Sequence, residues 1–380
     1  MKLLYFVTED WYFCSHRLDL AVAARDAGFD ITVVTRVTDH GDVIRDAGLR
    51  VIDLPLSRGS INPFAELGVV FRLASIYRRE RPDVVHHVAM KPVLYGSIAA
   101  RIAGLERVIN ALTGLGWAFS SSSGIAAFLK PVIRALLCRL LRHGEVIVQN
   151  DDDAAMVRRL GVDHINLIQG SGVDVERFQP AVRDHPVPVV ALVARMIWDK
   201  GIQEFADASR QLRKRGIQAR FVLVGSPDDG NRGGIPEHVL HEWQQEGLIE
   251  WWGRRDDMPT VLEQVDIACL PSYREGLPRT LLEAAASGLP IVTTDAPGCR
   301  EVVVEGENGF LVPVQAVTEL AVALEKLIND KPLRERMGAR SRELVVERFT
   351  DQHVIDATLA IYRKLAPQSE ATSARSEKKS

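Results

Sequence analysis

Two cations, Arg195 and Lys200, stand five residues apart in the segment ALVARMIWDKG. A guanidinium presents a planar fork to an oxyanion and an ammonium a compact point charge, so the pair suits a diphosphate. The same two residues also read as solvated loop charges. Further on, SYREGLPRTLLEAAASGLPIV holds Glu275, Thr280 and Glu283. Pro278 has the character of a first-turn helix proline. The amides near Leu277–Thr280 would then be the free donors of a helix N-terminus, a site suited to phosphate. Glu283 lies one turn inside that helix. A carboxylate aimed at an anion is repelled, so Glu283 is read as facing hydroxyls beside it.

Such groups need loops at the carboxyl ends of strands. Apolar or β-branched runs alternate with amphipathic helical stretches along the chain. Strands are predicted at Leu3–Thr8, Ile31–Thr35, Val51–Asp53, Val84–His87, Val108–Ala111 and Val146–Gln149. Helical patterns such as Arg17–Ala27, Ala65–Arg79 and Leu94–Ala103 separate them. The pattern restarts with strands predicted at Val187–Val193, Arg220–Val224, Leu248–Trp252, Ile267–Leu270 and Pro290–Thr293. Continuous apolar strands divided by helices imply parallel sheets covered on both faces. The predicted fold is therefore α/β, with two Rossmann-like doubly wound domains, residues 1–180 and 188–348. The break falls in Phe178–Pro188, which carries three prolines. Residues 349–366 hold a last helical pattern, read as crossing back to the first domain. Residues 367–380 are polar, lack periodicity and are read as a disordered tail. Ligands of such sheets bind beyond the strands' carboxyl ends, so two facing units predict a site in the cleft between them.

The chain has 380 residues, 46% hydrophobic and 26% charged, with a net charge of −3. This is the composition of a globular chain and excludes a wholly disordered or collagen-like one. There is no global basic field, so no nucleic-acid partner is expected. Cys14, Cys138, Cys269 and Cys299 form no CxxC or Cys/His zinc pattern and read as reduced thiols of a cytoplasmic protein. Glu9 and Asp10 interrupt the N-terminal apolar run, so it reads as a strand and not as a signal peptide. No apolar run reaches the ~18 residues that would span a bilayer.

The first βα loop is read as Thr8–His16, TEDWYFCSH, and has no glycine. A dinucleotide-binding unit would carry GxGxxG there, so nicotinamide and flavin enzymes are disfavoured; a P-loop is absent as well. Asp151–Asp153 invites a metal reading. An Asn/Asp cap with acidic residues in the first helical turn explains it better, and no metal site is expected. In Gly124–His143, Leu129, Val132, Ile133, Leu136 and Leu140 share one helical face, with Lys130, Arg134, Arg139 and Arg142 towards the other. No acid occurs between Glu106 and Glu145. The segment reads either as a basic amphipathic helix on an anionic membrane surface or as a domain helix with a wet basic face.

Together, Arg195 and Lys200, the E-x7-E pair Glu275 and Glu283 within EGLPRTLLEAAASGLPIV, and the later GFLVP resemble a known family. It is the family-4 retaining nucleotide-sugar glycosyltransferases with the two-domain GT-B fold, and the resemblance covers roughly residues 1–365. The segments DWYFCSHR, HHVAMKPVLYGSIAAR and LTGLGWAF resemble the subgroup that extends lipid-linked glycans or builds surface polysaccharides, N-acetylhexosaminyltransferases among them.

The resemblance implies a UDP-sugar donor, a polyprenyl-diphosphate-linked saccharide acceptor, and no metal or cofactor. It also implies a peripheral location at the inner face of the cell membrane. Arg195 and Lys200 would bind the donor diphosphate and stabilise charge on the departing UDP. Glu275 would contact the donor sugar, Glu283 the ribose, Thr280 the phosphate at the helix N-terminus, and Gly225, Gly253 and Arg254 would lie near the base. Retention would follow a front-face path, with no protein nucleophile evident.

Two departures from the family pattern appear. The glycine-free first loop leaves Ser15, His16 and Arg17 to do what glycines do elsewhere. The family's H-x-H is here DVVHHV with Val88 at the second histidine, so His87 or Lys91 takes that role. Alternation sends His86 and His87 to opposite sides of the sheet, and His87 is preferred. A GT-B-shaped UDP-N-acetylglucosamine 2-epimerase is the alternative enzyme class.

Overall fold

A computed structural model of the chain describes residues 1–56, 63–115, 135–228, 230–231 and 233–366. The described residues fall into two compact units. One is drawn from Met1–Ala111, Arg139–Val146 and Ile355–Ser380, the other from Leu112–Cys138 and Ile147–Val354. Both units are thus discontinuous along the chain, and the first includes residues from the last helical stretch. Within the second unit, the Val173 amide donates to Phe349 O at 3.0 Å and the Asp351 amide donates to Val173 O at 3.2 Å.

The first sheet has seven strands. They are β1 (Lys2–Glu9), β2 (Asp30–Arg36), β3 (Arg50–Asp53), β4 (Val84–Val88), β5 (Val108–Leu112), β6 (Glu145–Val148) and β7 (Ile165–Leu167), in the order β3-β2-β1-β4-β5-β6-β7. Its helices are α1 (Asp10–His16), α2 (Leu18–Asp26), α3 (Gly41–Asp46), α4 (Pro63–Glu80), α5 (Met90–Ala103) and α6 (Asp151–Arg159). Strands β1 and β4 pair in parallel with Tyr5 opposite His86 and Phe6 opposite His87. Every residue of β4 is buried, as expected of a central strand covered on both faces. At α6, the Asn150 side chain accepts the Asp153 amide at 2.8 Å, so the acidic triplet is the first turn of a capped helix.

The second sheet has six strands, β8 (Val189–Val193), β9 (Arg220–Val224), β10 (Glu250–Trp251), β11 (Ile267–Leu270), β12 (Ile291–Thr294) and β13 (Gly309–Val312), in the order β10-β9-β8-β11-β12-β13. The helices are α7 (Ile202–Lys214), α8 (Glu237–Gln245), α9 (Met258–Glu263), α10 (Arg279–Ala286), α11 (Val317–Asn329) and α12 (Lys331–Arg348); the last helix, α13 (Asp351–Leu365), falls largely in the first unit. Strand β11 is buried throughout and β8 as far as Leu192, and side chains such as Leu192 and Ile267 are wholly enclosed. Each such side chain contributes about 1.5–3 kcal/mol. Helix α10 carries small and apolar residues almost all round and is buried from Leu281 to Ala286. A Cβ at Gly338 in α12 would overlap the carbonyl oxygen of Gly288 just after α10, so the two chains approach at backbone distance.

These orders fix where a ligand is read. In each sheet the chain winds outward from a central strand one way and returns to wind out the other. The reversals lie between β1 and β4 and between β8 and β11. Ligands of open parallel sheets bind beyond the carboxyl ends at such points. His16 and Arg17 follow β1, Lys91 follows β4, Arg195 and Lys200 follow β8, and Glu275 follows β11.

Among the described residues no helix is long and apolar enough to cross a membrane. Most of the Gly124–His143 segment lies outside the described residues, as does the tail 367–380. Residues 135–141 are helical, with Leu137, Leu140 and Leu141 buried and Arg139 exposed. The four cysteines are free thiols.

Candidate active site

The loops after β8, β9 and β10 are laced side by side. The Ala194 amide donates to Val224 O at 3.0 Å, Met196 to Ser226 O at 3.0 Å, and Gly225 to Gly253 O at 2.8 Å. Gly225 is obligatory here: its φ is +146° and a Cβ would overlap the Ala194 carbonyl oxygen. The Trp251 indole also donates to Gly225 O, at 2.8 Å. Arg195 emerges from this weave and pairs with Asp228 in the next loop, its side chain 40% exposed. Gly253 takes a left-handed φ of +67° with open space around it, and Arg254 next to it is exposed and pairs with Asp256 at 3.2 Å.

The second cation is placed by a 3-10 turn, Trp198–Lys200, ended by Gly201 at φ +72°. Asp199 O accepts the Tyr273 amide at 2.9 Å and the Ser272 hydroxyl at 3.1 Å, which ties this turn to the loop after β11. Lys200 thereby meets Glu275 as an ion pair, with side chains only 18% and 12% exposed. The Glu275 amide donates to Pro297 O at 3.0 Å, and Asn150 Nδ2 donates to Gly276 O at 2.7 Å, so the backbone beneath the carboxylate is fixed. Both cations therefore have carboxylate partners before any ligand arrives. Sequence reasoning assigned Lys200 and Glu275 to neighbouring parts of one ligand, and the structure brings them into direct contact. It did not find Asp228, which follows a different strand and belongs to no motif.

Pro278 is the N-cap of α10 and not a first-turn residue, and no side chain caps that end. Thr280 borders a small crevice with Val193 and Leu270, which places the helix start against the ends of β8 and β11. Glu283 accepts from Arg279 Nε at 3.0 Å and is almost buried. Burial raises its carboxyl above the usual 4.5, against the pull of the Arg279 and Arg177 charges. The acid once read as facing hydroxyls is thus already engaged by the arginine one turn before it. A separate cavity of about 680 Å3, bordered by Val187, Arg220, Glu250 and Trp251, lies at the amino ends of these strands and is lined by none of Arg195, Lys200, Glu275 and Glu283.

In the first unit the expectation for His87 is corrected. Its Nδ1–H donates to Asn110 Oδ1 and its Nε2 accepts from the Tyr77 hydroxyl, both at 2.9 Å. It is wholly enclosed, and a Cβ at Gly96 would overlap its ring. His86 is equally buried on the other face, its Nδ1 2.7 Å from the Tyr362 hydroxyl. Alternation did separate the two rings, but both faces of β4 are covered, so neither ring opens to a substrate.

Burial drives the His87 ring down to about 4 from its usual 6.5, with the Asn110 hydrogen bond pulling the other way. The fold holds the neutral ring, so this stabilisation is present above about 6.5 and is lost as pH falls through that window toward 4. Unfolding free energy from urea titrations is expected to drop across that interval, and a flat or rising profile contradicts the buried-ring geometry.

Lys91, in the first turn of α5, pairs with Glu66 at 2.9 Å. Ala89 just before it stands at φ +77°, a conformation that costs a residue with a Cβ on the order of 1–3 kcal/mol. The His16 ring stacks on Tyr12 at 4.3 Å, its Nδ1 2.6 Å from the Ser15 hydroxyl, and Arg17 is buried with its guanidinium donating to His16 O at 3.3 Å.

The stretch read as a loop is largely the helix α1, and Asp10 organises it. Its wholly buried carboxylate accepts the Thr38 amide at 2.6 Å, the Thr38 hydroxyl at 2.7 Å, the His40 amide at 3.0 Å and the Trp11 amide at 2.8 Å. Burial alone would raise this carboxyl; the four hydrogen bonds hold it below the usual 3.8. Asp10 fixes this stretch, and it is not among Ser15, His16 and Arg17, the residues to which the sequence pointed. The available signal was an acid interrupting an apolar run.

Comparison with known proteins agrees with this architecture. The family model described as glycosyl transferases group 1 matches residues 174–344, and the glycosyl transferase 4-like model matches residues 2–150. An N,N'-diacetylbacillosaminyl-diphospho-undecaprenol alpha-1,3-N-acetylgalactosaminyltransferase from Campylobacter jejuni is 28% identical, the match covering 92% of this chain and 95% of that protein. A UDP-Gal:alpha-D-GlcNAc-diphosphoundecaprenol alpha-1,3-galactosyltransferase from Escherichia coli is 24% identical, covering 88% and 89%. Among solved structures, the sucrose-phosphate synthase of Thermosynechococcus elongatus superposes with a TM-score of 0.81 at 20% identity, covering 96% of this chain and 99% of that one. Anabaena HepE in complex with UDP-glucose gives 0.75 at 20% identity, covering 96% and 99%. With a parallel α/β sheet in each half and a family match to each half, the chain belongs to the glycosyltransferases of the group 1 and 4-like families and has the GT-B fold.

Proposed function

We propose that this glycosyltransferase moves a hexose or N-acetylhexosamine from a UDP-sugar to a saccharide carried on a polyprenyl diphosphate. Transfer is with retention at the anomeric carbon and needs no divalent metal. The reaction belongs to cell-surface glycan assembly at the inner face of the cell membrane. One observation carries the reading: Lys200 and Glu275 meet at the switch point of the second sheet, on loops tied by two hydrogen bonds to Asp199 O, with Arg195 on the adjoining loop. The acceptor is supported by two relatives whose names specify diphospho-undecaprenol saccharides, and the donor by a GT-B neighbour solved with UDP-glucose.

In this reading the donor diphosphate takes Lys200, Arg195 and the uncapped start of α10. The bond from the anomeric carbon to the β-phosphate oxygen breaks, and its electron pair leaves with UDP. The acceptor hydroxyl bonds to that carbon on the same face and passes its proton to the departing phosphate oxygen. In this reading Arg195 and Lys200, each held by a carboxylate partner, stabilise the negative charge that grows on that oxygen. Glu275 accepts the sugar's hydroxyls and Glu283 the ribose.

Arg195→Ala is expected to lower kcat about 100-fold while changing KM only about threefold, because its charge is needed most in the transition state. A KM rise with unchanged kcat would assign Arg195 to ground-state binding. Glu283→Ala is expected to weaken UDP binding about tenfold by calorimetry. Unchanged affinity in a folded variant contradicts the ribose role. The function itself is tested by incubating UDP-sugars with undecaprenyl-diphosphate-linked saccharides. The expected product is heavier by one hexose or N-acetylhexosamine. Conversion of UDP-N-acetylglucosamine to UDP-N-acetylmannosamine without any acceptor would overturn the reading in favour of an epimerase.

A further inference from the structure

We infer that the outer face of α4 is a docking surface for an anionic lipid bilayer; the inference rests on the lipid-linked acceptor proposed above. The inner face of α4 is ordinary core, with Val70, Leu73, Ala74 and Tyr77 buried beneath the first sheet's cover. The opposite face of such a helix is normally polar. Here Phe64, Leu67 and Phe71 occupy it, 85%, 52% and 57% exposed. Their spacing of three and four residues makes a single stripe two turns long. Among the described residues no other phenylalanine is so exposed.

The exposed charges on α4 are of one sign. Arg72, Arg78 and Arg79 follow the stripe and are exposed, with Arg78 also donating to Ile102 O at 2.7 Å. The two acids of the helix are engaged towards its edges: Glu66 pairs with Lys91 at 2.9 Å, and Glu80 pairs with Arg50 at 2.6 Å and Arg79 at 2.9 Å. No exposed residue of α4 is acidic. Apolar side chains over the first two turns and guanidinium groups over the following ones fit the boundary between acyl chains and anionic headgroups. Helix α4 is a different stretch of sequence from Gly124–His143, which the sequence leaves as either a membrane-surface helix or a domain helix with a wet basic face.

The test is co-sedimentation of the full chain with phosphatidylcholine vesicles containing phosphatidylglycerol at roughly one lipid in three. Replacing Phe64, Leu67 and Phe71 together by serine is expected to lower the bound fraction about tenfold, and Arg72→Glu about threefold, with unchanged circular dichroism. Turnover of a water-soluble, short-chain diphosphate acceptor is expected to stay the same in both variants, while turnover of the vesicle-borne acceptor falls. Vesicle binding by the triple variant at the wild-type level overturns the inference. Equal binding to pure phosphatidylcholine overturns its anionic part. A change in sedimentation from oligomer to monomer, with vesicle binding intact, reassigns the face to self-association. If the wild-type chain binds vesicles through α4 yet uses no acceptor, the enzymatic reading fails and the docking surface stands.

Discussion

Lys200→Ala is expected to lower kcat about 1000-fold, at the upper end of what one preorganised electrostatic contact supplies. The lysine sits on a 3-10 turn pinned to the loop after β11, so its ammonium is held in place before the donor binds. The substitution also strands Glu275, which is only 12% exposed and would lose its partner. Part of the effect could therefore be a loss of stability. The double variant Lys200→Ala/Glu275→Gln separates the two. It removes the stranded charge, so its Tm is expected to return towards wild type while turnover stays low. Recovery of turnover along with Tm would show that the lysine only neutralises the glutamate and takes no part in leaving-group stabilisation.

The second large effect is structural. Gly201→Ala is expected to destabilise the chain by about 3 kcal/mol or more in urea unfolding. Position 201 has φ +72°, and a Cβ there would overlap the carbonyl oxygen and carbon of Pro271. Relief means moving either α7 or the loop that carries Glu275, so turnover is expected to fall with stability. Gly253→Ala is the control. It has a similar φ of +67° but nothing within reach of a Cβ, so only the backbone term of about 1–2 kcal/mol is expected. Equal effects at the two positions would contradict the close packing of the loops after β8 and β11.

Much of the site could be read in the sequence because strands buried on both faces announce themselves as continuous apolar runs. The strands expected at Val187–Val193 and Ile267–Leu270 were found this way, and Arg195, Lys200 and Glu275 lie in the loops that follow them. The pairing of those residues could not be read. Asp228 reaches Arg195 from the end of a third strand, and only the sheet order β9-β8-β11 makes them neighbours. The histidines failed for a related reason. Period-two alternation tells which side of β4 each ring takes, and not whether that side is covered; α4, α5 and Tyr362 cover both. Helix α1 was missed because nothing local in TEDWYFCSH ends a strand and starts a helix. The buried Asp10 does so through partners near residue 40, contributed by the next strand's loop. Strand β7, at three residues on the sheet edge, is too short to show a pattern.

The account stands on diphosphate recognition by the loops after β8 and β11, and one titration tests it most directly. Calorimetry should find UDP binding the wild-type chain at least about 100-fold tighter than uridine, about 2.7 kcal/mol, and that advantage should largely vanish in Lys200→Ala. If uridine binds as well as UDP, or if Lys200→Ala retains the full preference, no pyrophosphate is gripped there.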